Sequence, residues 1–505
     1  MEKESLKDDH YFFGHPRPLQ SLFFTELWER FSFYGVRPLL ILYMTAMVLQ
    51  GGLGIDRESA AAIVGLFAGS MYLATIFGGW LADYWLGQAK AVWYGSIIIA
   101  AGHLSIGVVP WMGLGCFYLG LVLIVIGSGL FKTCISVMVG LLYQAQDTRR
   151  DAGFSIFYMG INIGAFLAPL FTGFFAQQYG WHLGFATGGV GMLIALVIFR
   201  LFAMRQLKDF DQKRGLQSNW NQPVKYHPWA AKLAFIFIVT VAVFFIAIRQ
   251  QWLAFNPVIV VSYFTVLTAA CILLYFVYLL IFAKFNKVEK LKIFNCLVLL
   301  IVAALFWAAF EQAATSFNLF AEDYTNRELW GFIIPTVWFQ SINPIFIVIF
   351  APVIAWLWMY LGKNNKEPNY INKFIMALYF TIGGLLFIAI ASYIIAQGYA
   401  VKVSPWWLVM TYLFLTFGEL CLSPVGLSSM TKLAPDQIRG QIMGLWFAAT
   451  ALGNLLASLI GGQMASAHIR DLPMMFIYCA IVLLIVALCL WLLSGRLQAY
   501  QESSS

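Results

Sequence analysis

The sequence predicts an all-α integral membrane protein with fourteen transmembrane helices, grouped as six, two and six. Three observations predict it: a composition too apolar for water, apolar runs of bilayer length along the whole chain, and cations gathered in alternate loops. Of 505 residues, 61% are hydrophobic and only 11% charged, with a mean hydropathy of +0.79. Soluble domains carry about 25% charged residues. A chain with half that cannot clothe its own surface in water, so lipid must be its solvent.

A helix needs about 20 apolar residues to cross the hydrocarbon. That rule places six helices before residue 205, at about 19–49, 58–85, 90–110, 113–145, 151–179 and 182–204. The first is apolar despite internal charges, and the fourth holds the continuous run Phe117–Leu130. The long hydrophilic stretch Arg205 to His227 ends this group. Two further apolar helices follow at about 229–249 and 255–284, built on Leu233–Ile248 and Val258–Ala283. Six more fill about 292–322, 331–361, 372–397, 404–434, 437–467 and 472–495, the last around Met475–Leu493. The expected domains are therefore an N-terminal bundle (1–204), a linker with two inserted helices (205–290), a C-terminal bundle (291–497) and a tail (498–505).

Loop charge sets the orientation. Lys and Arg collect at Arg149 and Arg150, Arg205 to Arg214, Lys284 to Lys290, Lys363 and Lys366, and Lys432 with Arg439. The loops between, around Asp56, Pro110, Tyr179, Gln250, Asp323, Gln397 and Arg470, hold few. This positive-inside pattern puts both termini in the cytoplasm. It also accounts for the net charge of +8 without a nucleic-acid partner. The opening MEKESLKDDHYFFGHPRP lacks a basic n-region, an h-region and a cleavage site, so no cleaved signal is expected. The seven cysteines lie in apolar stretches without C-x-x-C spacing and read as packing residues.

The two groups of six echo each other. A helix bearing Lys132 runs into Asp147–Arg150 and is followed by one bearing Tyr158 and Asn162. A helix bearing Glu419 runs into Asp436–Arg439 and is followed by one bearing Trp446 and Asn454. Parallel six-helix repeats are the plan of the major facilitator superfamily, with substrate held near the midplane.

Ionisable residues inside apolar helices cost about 2.5–3.5 kcal/mol each and face the bundle interior. In TELWERFSFYGVRPLL, Glu26, Glu29, Arg30, Tyr34 and Arg37 share an arc of about 140°. Glu26 and Arg30, four apart, are placed to pair. A static salt-bridge cluster gluing helices is the competing reading, and it is an expensive glue where Gly and Ala suffice. Lys132 is a lone ammonium in the first half, while Glu311 and Glu419 are lone carboxylates in the second. Cations in one half and anions in the other complement a zwitterion. A carboxylate that loses its cation as the bundle rocks takes up a proton; Glu26, Glu29 and Glu311 are the candidates. His103 reads as a packed or interhelically bonded residue. Asn162 and Asn343 must be hydrogen-bonded if buried, either to substrate or to another helix. Gly160 and Gly164 suggest close helix packing, and Gly78 through Gly87 suggests a hinge loop between the second and third helices.

At these residues the chain resembles the proton-coupled oligopeptide transporters, a branch of the major facilitator superfamily. The first-helix pattern E-x-x-E-R-F-x-Y-Y is present as Glu26-Leu-Trp-Glu29-Arg30-Phe31-Ser-Phe33-Tyr34. The fifth-helix signature is present as Phe154 to Gly164, and Phe306-Trp307 with Gln312 matches the seventh. The resemblance implies a proton-coupled importer of di- and tripeptides in a bacterial cytoplasmic membrane. It needs no cofactor or metal beyond the proton, no nucleic acid and no obligate protein partner. It implies that Arg37, Lys132 and Asn162 receive the peptide carboxylate, and that Glu419 with Asn343 receives the amine. Tyr34, Tyr72, Tyr158, Trp307, Ser423 and Trp446 would line the peptide site. Glu26, Glu29 and Arg30 would form the proton-linked cluster, and Glu311 would join Arg37 in a gating pair.

Two departures matter. Phe33 stands where the family usually has the first tyrosine, and Phe310 precedes Glu311 where some relatives have a second glutamate. Both make the site less polar. Two alternatives stay open at this level: a carrier of another zwitterion or anion (amino acid, nitrate or drug), and an integral membrane enzyme. Against the enzyme, the sequence has no H-E-x-x-H, G-x-S-x-G or clustered metal ligands in or beside its spans.

Overall fold

The computed structural model describes residues 10–144, 147–214, 220–250 and 255–502. The first nine residues, part of the linker (215–219), part of the loop between the inserted helices (251–254) and the last residues of the expected tail (503–505) lie outside them.

Fourteen long helices follow one another among the described residues. They are α1 Arg17–Thr45, α2 Arg57–Leu86, α3 Gln88–Gly107, α4 Leu114–Gly140, α5 Arg150–Tyr179, α6 Trp181–Ile198, α7 Pro228–Arg249 and α8 Pro257–Phe282. Then come α9 Lys287–Tyr324, α10 Thr336–Lys363, α11 Tyr370–Ala396, α12 Trp406–Leu433, α13 Arg439–Ser466 and α14 Leu472–Glu502. Among the described residues, eleven helices are long and apolar enough to cross a membrane on length and hydropathy alone. The fourteen coincide with the expected spans to within a few residues at most ends. Among the described residues, strand is confined to a hairpin, Glu328–Leu329 with Phe332–Ile333. Its turn residues Trp330 and Gly331 both have positive φ, 52° and 81°, as a type I′ turn requires.

The chain divides into two compact units, Met1–Leu39 with Ser70–Phe255, and Leu40–Gly69 with Asn256–Ser505. The division cuts α1 just after Pro38 and places the two inserted helices in different units.

In the first unit, α3 and α4 cross through glycines spaced seven apart. A Cβ on Gly95 or Gly102 would come within 2.7 and 2.8 Å of the carbonyls of Gly127 and Gly120. Small residues let helix backbones approach where lipid offers no hydrophobic push. Gly164 does the same for α5 on α1, where a Cβ would lie 2.3 Å from the Leu27 carbonyl oxygen. The region Gly78 to Gly87 differs from the expected loop. Helix α2 continues through it, ending in a π turn at Ala82–Leu86, and only Gly87 breaks the chain. Gly78 is instead a packing glycine, since a Cβ there would lie 2.0 Å from the Gly129 carbonyl oxygen.

The described parts of the hydrophilic linker are tied to the helices beside them. After a polar helix, Met204–Arg214, buried Trp220 donates to Asp211 Oδ2 at 2.6 Å. The Trp220 carbonyl accepts from Ala89 N–H, and Lys225 and His227 donate N–H bonds to the carbonyls of Asp83 and Tyr84. The segment straps the turn between α2 and α3.

In the second unit, Val261, Val258 and Phe264 of α8 pack with Ala62 and Leu66 of α2 and Leu455 and Leu459 of α13. Further along α8 and α13 the Tyr275 hydroxyl bonds Gln441. Helix α9 is broken. Its α form ends at Phe310, a 3₁₀ turn spans Glu311–Ala314, and Thr315 takes φ −121°, ψ −92° before the helix resumes. Short 3₁₀ insertions inside long helices often mark hinges.

Candidate functional site

The first unit gathers its charges around α1. Helical spacing puts Glu26, Arg30, Phe33 and Arg37 on one stripe, because residues three or four apart are neighbours on a helix face. Arg30 Nε donates to Glu29 Oε2 at 2.5 Å and lies 3.2 Å from Glu26 Oε1, and all three side chains are 1–2% exposed. One guanidinium thus serves two carboxylates. Glu26 Oε2 and Arg30 Nη2 are buried without a hydrogen-bond partner among the described residues. The trio carries a net charge of −1 when both acids are ionised, in surroundings where even a paired charge is costly. A single proton would neutralise it.

Lys132 on α4 lies 4.2 Å from the centre of the Tyr72 ring on α2, within range for a cation–π contact. It is also within electrostatic range of Glu26. Arg37 is half-buried, its guanidinium carbon 6.0 Å from the Phe33 ring centre. Tyr34 meets Phe33 edge-on at 5.0 Å. Tyr158 is 44% exposed. Asn162 is buried, but its Nδ2 turns back to the Tyr158 carbonyl at 3.0 Å, leaving its side-chain oxygen as the group with most to offer another partner. Asn454 on α13 makes the same bond to Thr450 O at 2.9 Å, a structural counterpart of the sequence echo. His103 is joined to Ser32 on α1 at 2.5 Å, the interhelical bond anticipated for it.

The second unit holds Glu311 and Glu419. Asn343 Nδ2 on α10 donates to Glu419 Oε2 on α12 at 3.0 Å and to Thr416 Oγ1 at 3.1 Å. Thr416, one turn before Glu419 on the same face, is a partner the sequence reading missed, although its spacing could have shown it. A neighbouring network was missed as well: Gln340 Nε2 donates to Tyr412 Oη at 2.8 Å and to Ala313 O at 2.6 Å. That bond ties α10 to the broken stretch of α9. Glu311 is buried at the first residue of the break and within electrostatic range of Glu419. Trp307, one turn before Glu311, packs between Phe306 and Phe310, each ring centre 5.2 Å away. Ser423 is half-buried one turn beyond Glu419. Trp446 is 5% exposed and fills the space left by Gly426, where a Cβ would lie 2.1 Å from its ring.

The arrangement therefore provides a buried, proton-sized charge imbalance and two nearby cations in one unit, and a hydrogen-bonded carboxylate with a second acid at a helix break in the other. Comparison with known proteins shows the family of the chain. Residues 89–476 match the model of the POT family. A peptide transporter of Yersinia enterocolitica is 53% identical over 95% of this chain and 94% of its own. A di-/tripeptide transporter of Lactococcus lactis is 35% identical over 90% of each chain. A crystal structure of a peptide transporter, POT, in complex with sulfate superposes with a TM-score of 0.85 at 37% identity, covering 97% of this chain and 96% of that one. The chain is a multi-pass membrane transporter with the major facilitator fold, and it belongs to the POT family.

Proposed function

We propose that this protein is a symporter that imports di- and tripeptides together with protons by alternating access. The observation that carries the proton half is the Arg30 guanidinium shared between Glu26 and Glu29, with one buried carboxylate oxygen left over. Protonation of either acid balances the cluster, and loss of that proton restores the pair. Desolvation and a shared cation are the two physical levers on such a carboxylate.

Peptide specificity rests on charge sign. Arg37 and Lys132, with the remaining N–H of the Asn162 side-chain amide, suit a peptide's carboxylate end. Glu419, held by Asn343, which Thr416 also engages, suits its amine, and Glu311 at the break in α9 suits a gate that answers to Arg37. Tyr34, Tyr72, Tyr158, Trp307, Ser423 and Trp446 would supply side-chain tolerance. The division into bundles at 1–204 and 291–497, with 205–290 as linker and inserted pair, belongs to the same proposal. So does residence in a bacterial cytoplasmic membrane with both termini inside, as loop charge indicates. Named relatives transport peptides, which supports the substrate class.

A second reading has one specific observation behind it. A POT family transporter 31% identical to this chain was solved with 5-aminolevulinic acid, a small zwitterion that is not a peptide. Uptake of labelled dipeptide into proteoliposomes under an imposed inward proton gradient tests the first reading. Competition by di- and tripeptides but not by single amino acids supports it, and stronger competition by 5-aminolevulinic acid than by any peptide overturns it.

A further inference from the structure

Phe33 carries no polar atom, yet it lies between the two functional groups of α1. Its ring is 4% exposed. The Arg30 guanidinium carbon is 5.5 Å from the ring centre on one side of the stripe, and that of Arg37 is 6.0 Å away. Both fall within the roughly 6 Å over which a guanidinium is held by the negative face of an aromatic ring. The Tyr34 ring packs against Phe33 in an edge-to-face pair at 70°. Arg30 is the cation shared by Glu26 and Glu29. Arg37 is followed at once by Pro38, which cannot donate to the Tyr34 carbonyl. The helix is therefore easier to bend just beyond the ring.

We propose that Phe33 is a positioning residue that couples peptide binding at Arg37 to proton binding at Glu26 and Glu29, by holding both guanidiniums on one ring. This rests on the proton-coupled reading above. Two like charges near one ring repel each other. When a peptide carboxylate neutralises Arg37, that repulsion falls and Arg30 moves closer to the ring. Its hold on the two acids loosens, and a proton on them is favoured. By linkage, a proton already on the acids frees Arg30 for the ring and improves peptide binding by the same factor.

Replacing Phe33 by phenylalanines bearing one, two and three ring fluorines weakens the π-face while keeping its shape. Full-length protein carrying each, together with Phe33→Leu and Phe33→Tyr, is reconstituted, and dipeptide KM is measured from pH 5.5 to 8 under a proton gradient. Counterflow at equal pH is the control. We expect KM at low pH to rise stepwise with fluorine count, by about three- to tenfold in total. The pH dependence of KM should flatten in parallel, with counterflow kept and Phe33→Tyr close to wild type. A flat fluorine series overturns the proposal, as does a rise in KM with an unchanged pH profile, which would mean packing alone. The fluorinated series keeps the test decisive if Phe33→Leu fails to fold. Wild-type uptake that ignores the proton gradient while still saturating with dipeptide would instead overturn the reading on which the proposal rests.

Discussion

Replacing Glu29 by Gln removes the nearer of the two carboxylates on Arg30, the one bonded at 2.5 Å, and leaves Glu26 at 3.2 Å. Two ionised acids sharing one cation repel by about 3–4 kcal/mol at 4–5 Å with an effective dielectric near 20, and a proton relieves that repulsion. In Glu29→Gln the repulsion is gone. Arg30 and Glu26 form a balanced one-to-one pair, so the cluster has no reason to take a proton. The variant should fold, because no buried charge is left without a counter-charge; the cost of one lost charged hydrogen bond is about 1.5–3 kcal/mol. In proteoliposomes, gradient-driven accumulation of labelled dipeptide should fall to the level of facilitated equilibration, while counterflow exchange persists. Equal loss of accumulation and exchange would refute the reasoning, because it would assign Glu29 to folding or peptide binding. Retained accumulation would refute it from the other side.

Other outcomes follow from the same geometry. Arg30→Ala leaves two acids facing each other with no cation between them, a buried imbalance worth about 3–5 kcal/mol; thermal unfolding in detergent should fall sharply, and an unchanged midpoint would contradict the shared-cation arrangement. Asn343→Leu strips Glu419 of its donor at 3.0 Å and should raise dipeptide KM about tenfold or more; an unchanged KM would remove Glu419 from the peptide site. Gly78→Ala drives a methyl into the Gly129 backbone at the crossing of α2 and α4. It should cost about 1–3 kcal/mol of stability, read by detergent melting, and an unchanged melting point would argue against that crossing. His15, outside the membrane, is held below its usual 6.5 by burial and by Arg149, and is bonded to Tyr143 at 2.9 Å. A depressed histidine withdraws stability as pH falls below its unfolded value, so the protection of residues 11–15 against hydrogen exchange, taken relative to the intrinsic rate at each pH, should fall below about pH 6.5, and His15→Gln should abolish that dependence.

Much of this architecture is legible in the chain because lipid leaves few choices. A segment that crosses hydrocarbon must be helical and apolar, so span length and loop charge recover fourteen helices. Even α1, with four internal charges, declares its buried face through the spacing of Glu26, Arg30 and Arg37. What stayed hidden was how side chains and turns close locally. Polar composition at 205–227 reads as a tether, yet Trp220 and the carbonyls of Asp83 and Tyr84 make part of it a strap. Gly78 reads as a hinge beside Gly79, but only the opposing Gly129 backbone shows that it is a packing residue. The break in α9 at Thr315 has no proline or glycine to announce it. The Phe33 contacts were equally invisible, because an apolar residue on a charged stripe looks like spacing until two guanidiniums are found on its ring.

The most direct test of proton-coupled peptide import is the pH inside sealed proteoliposomes when unlabelled dipeptide is added outside, with an inside-negative potassium potential and no initial pH difference. The lumen should acidify on peptide addition, in proportion to labelled peptide entry, and Glu29→Gln should abolish the acidification. Peptide entering at full rate with no change in lumen pH would contradict the account.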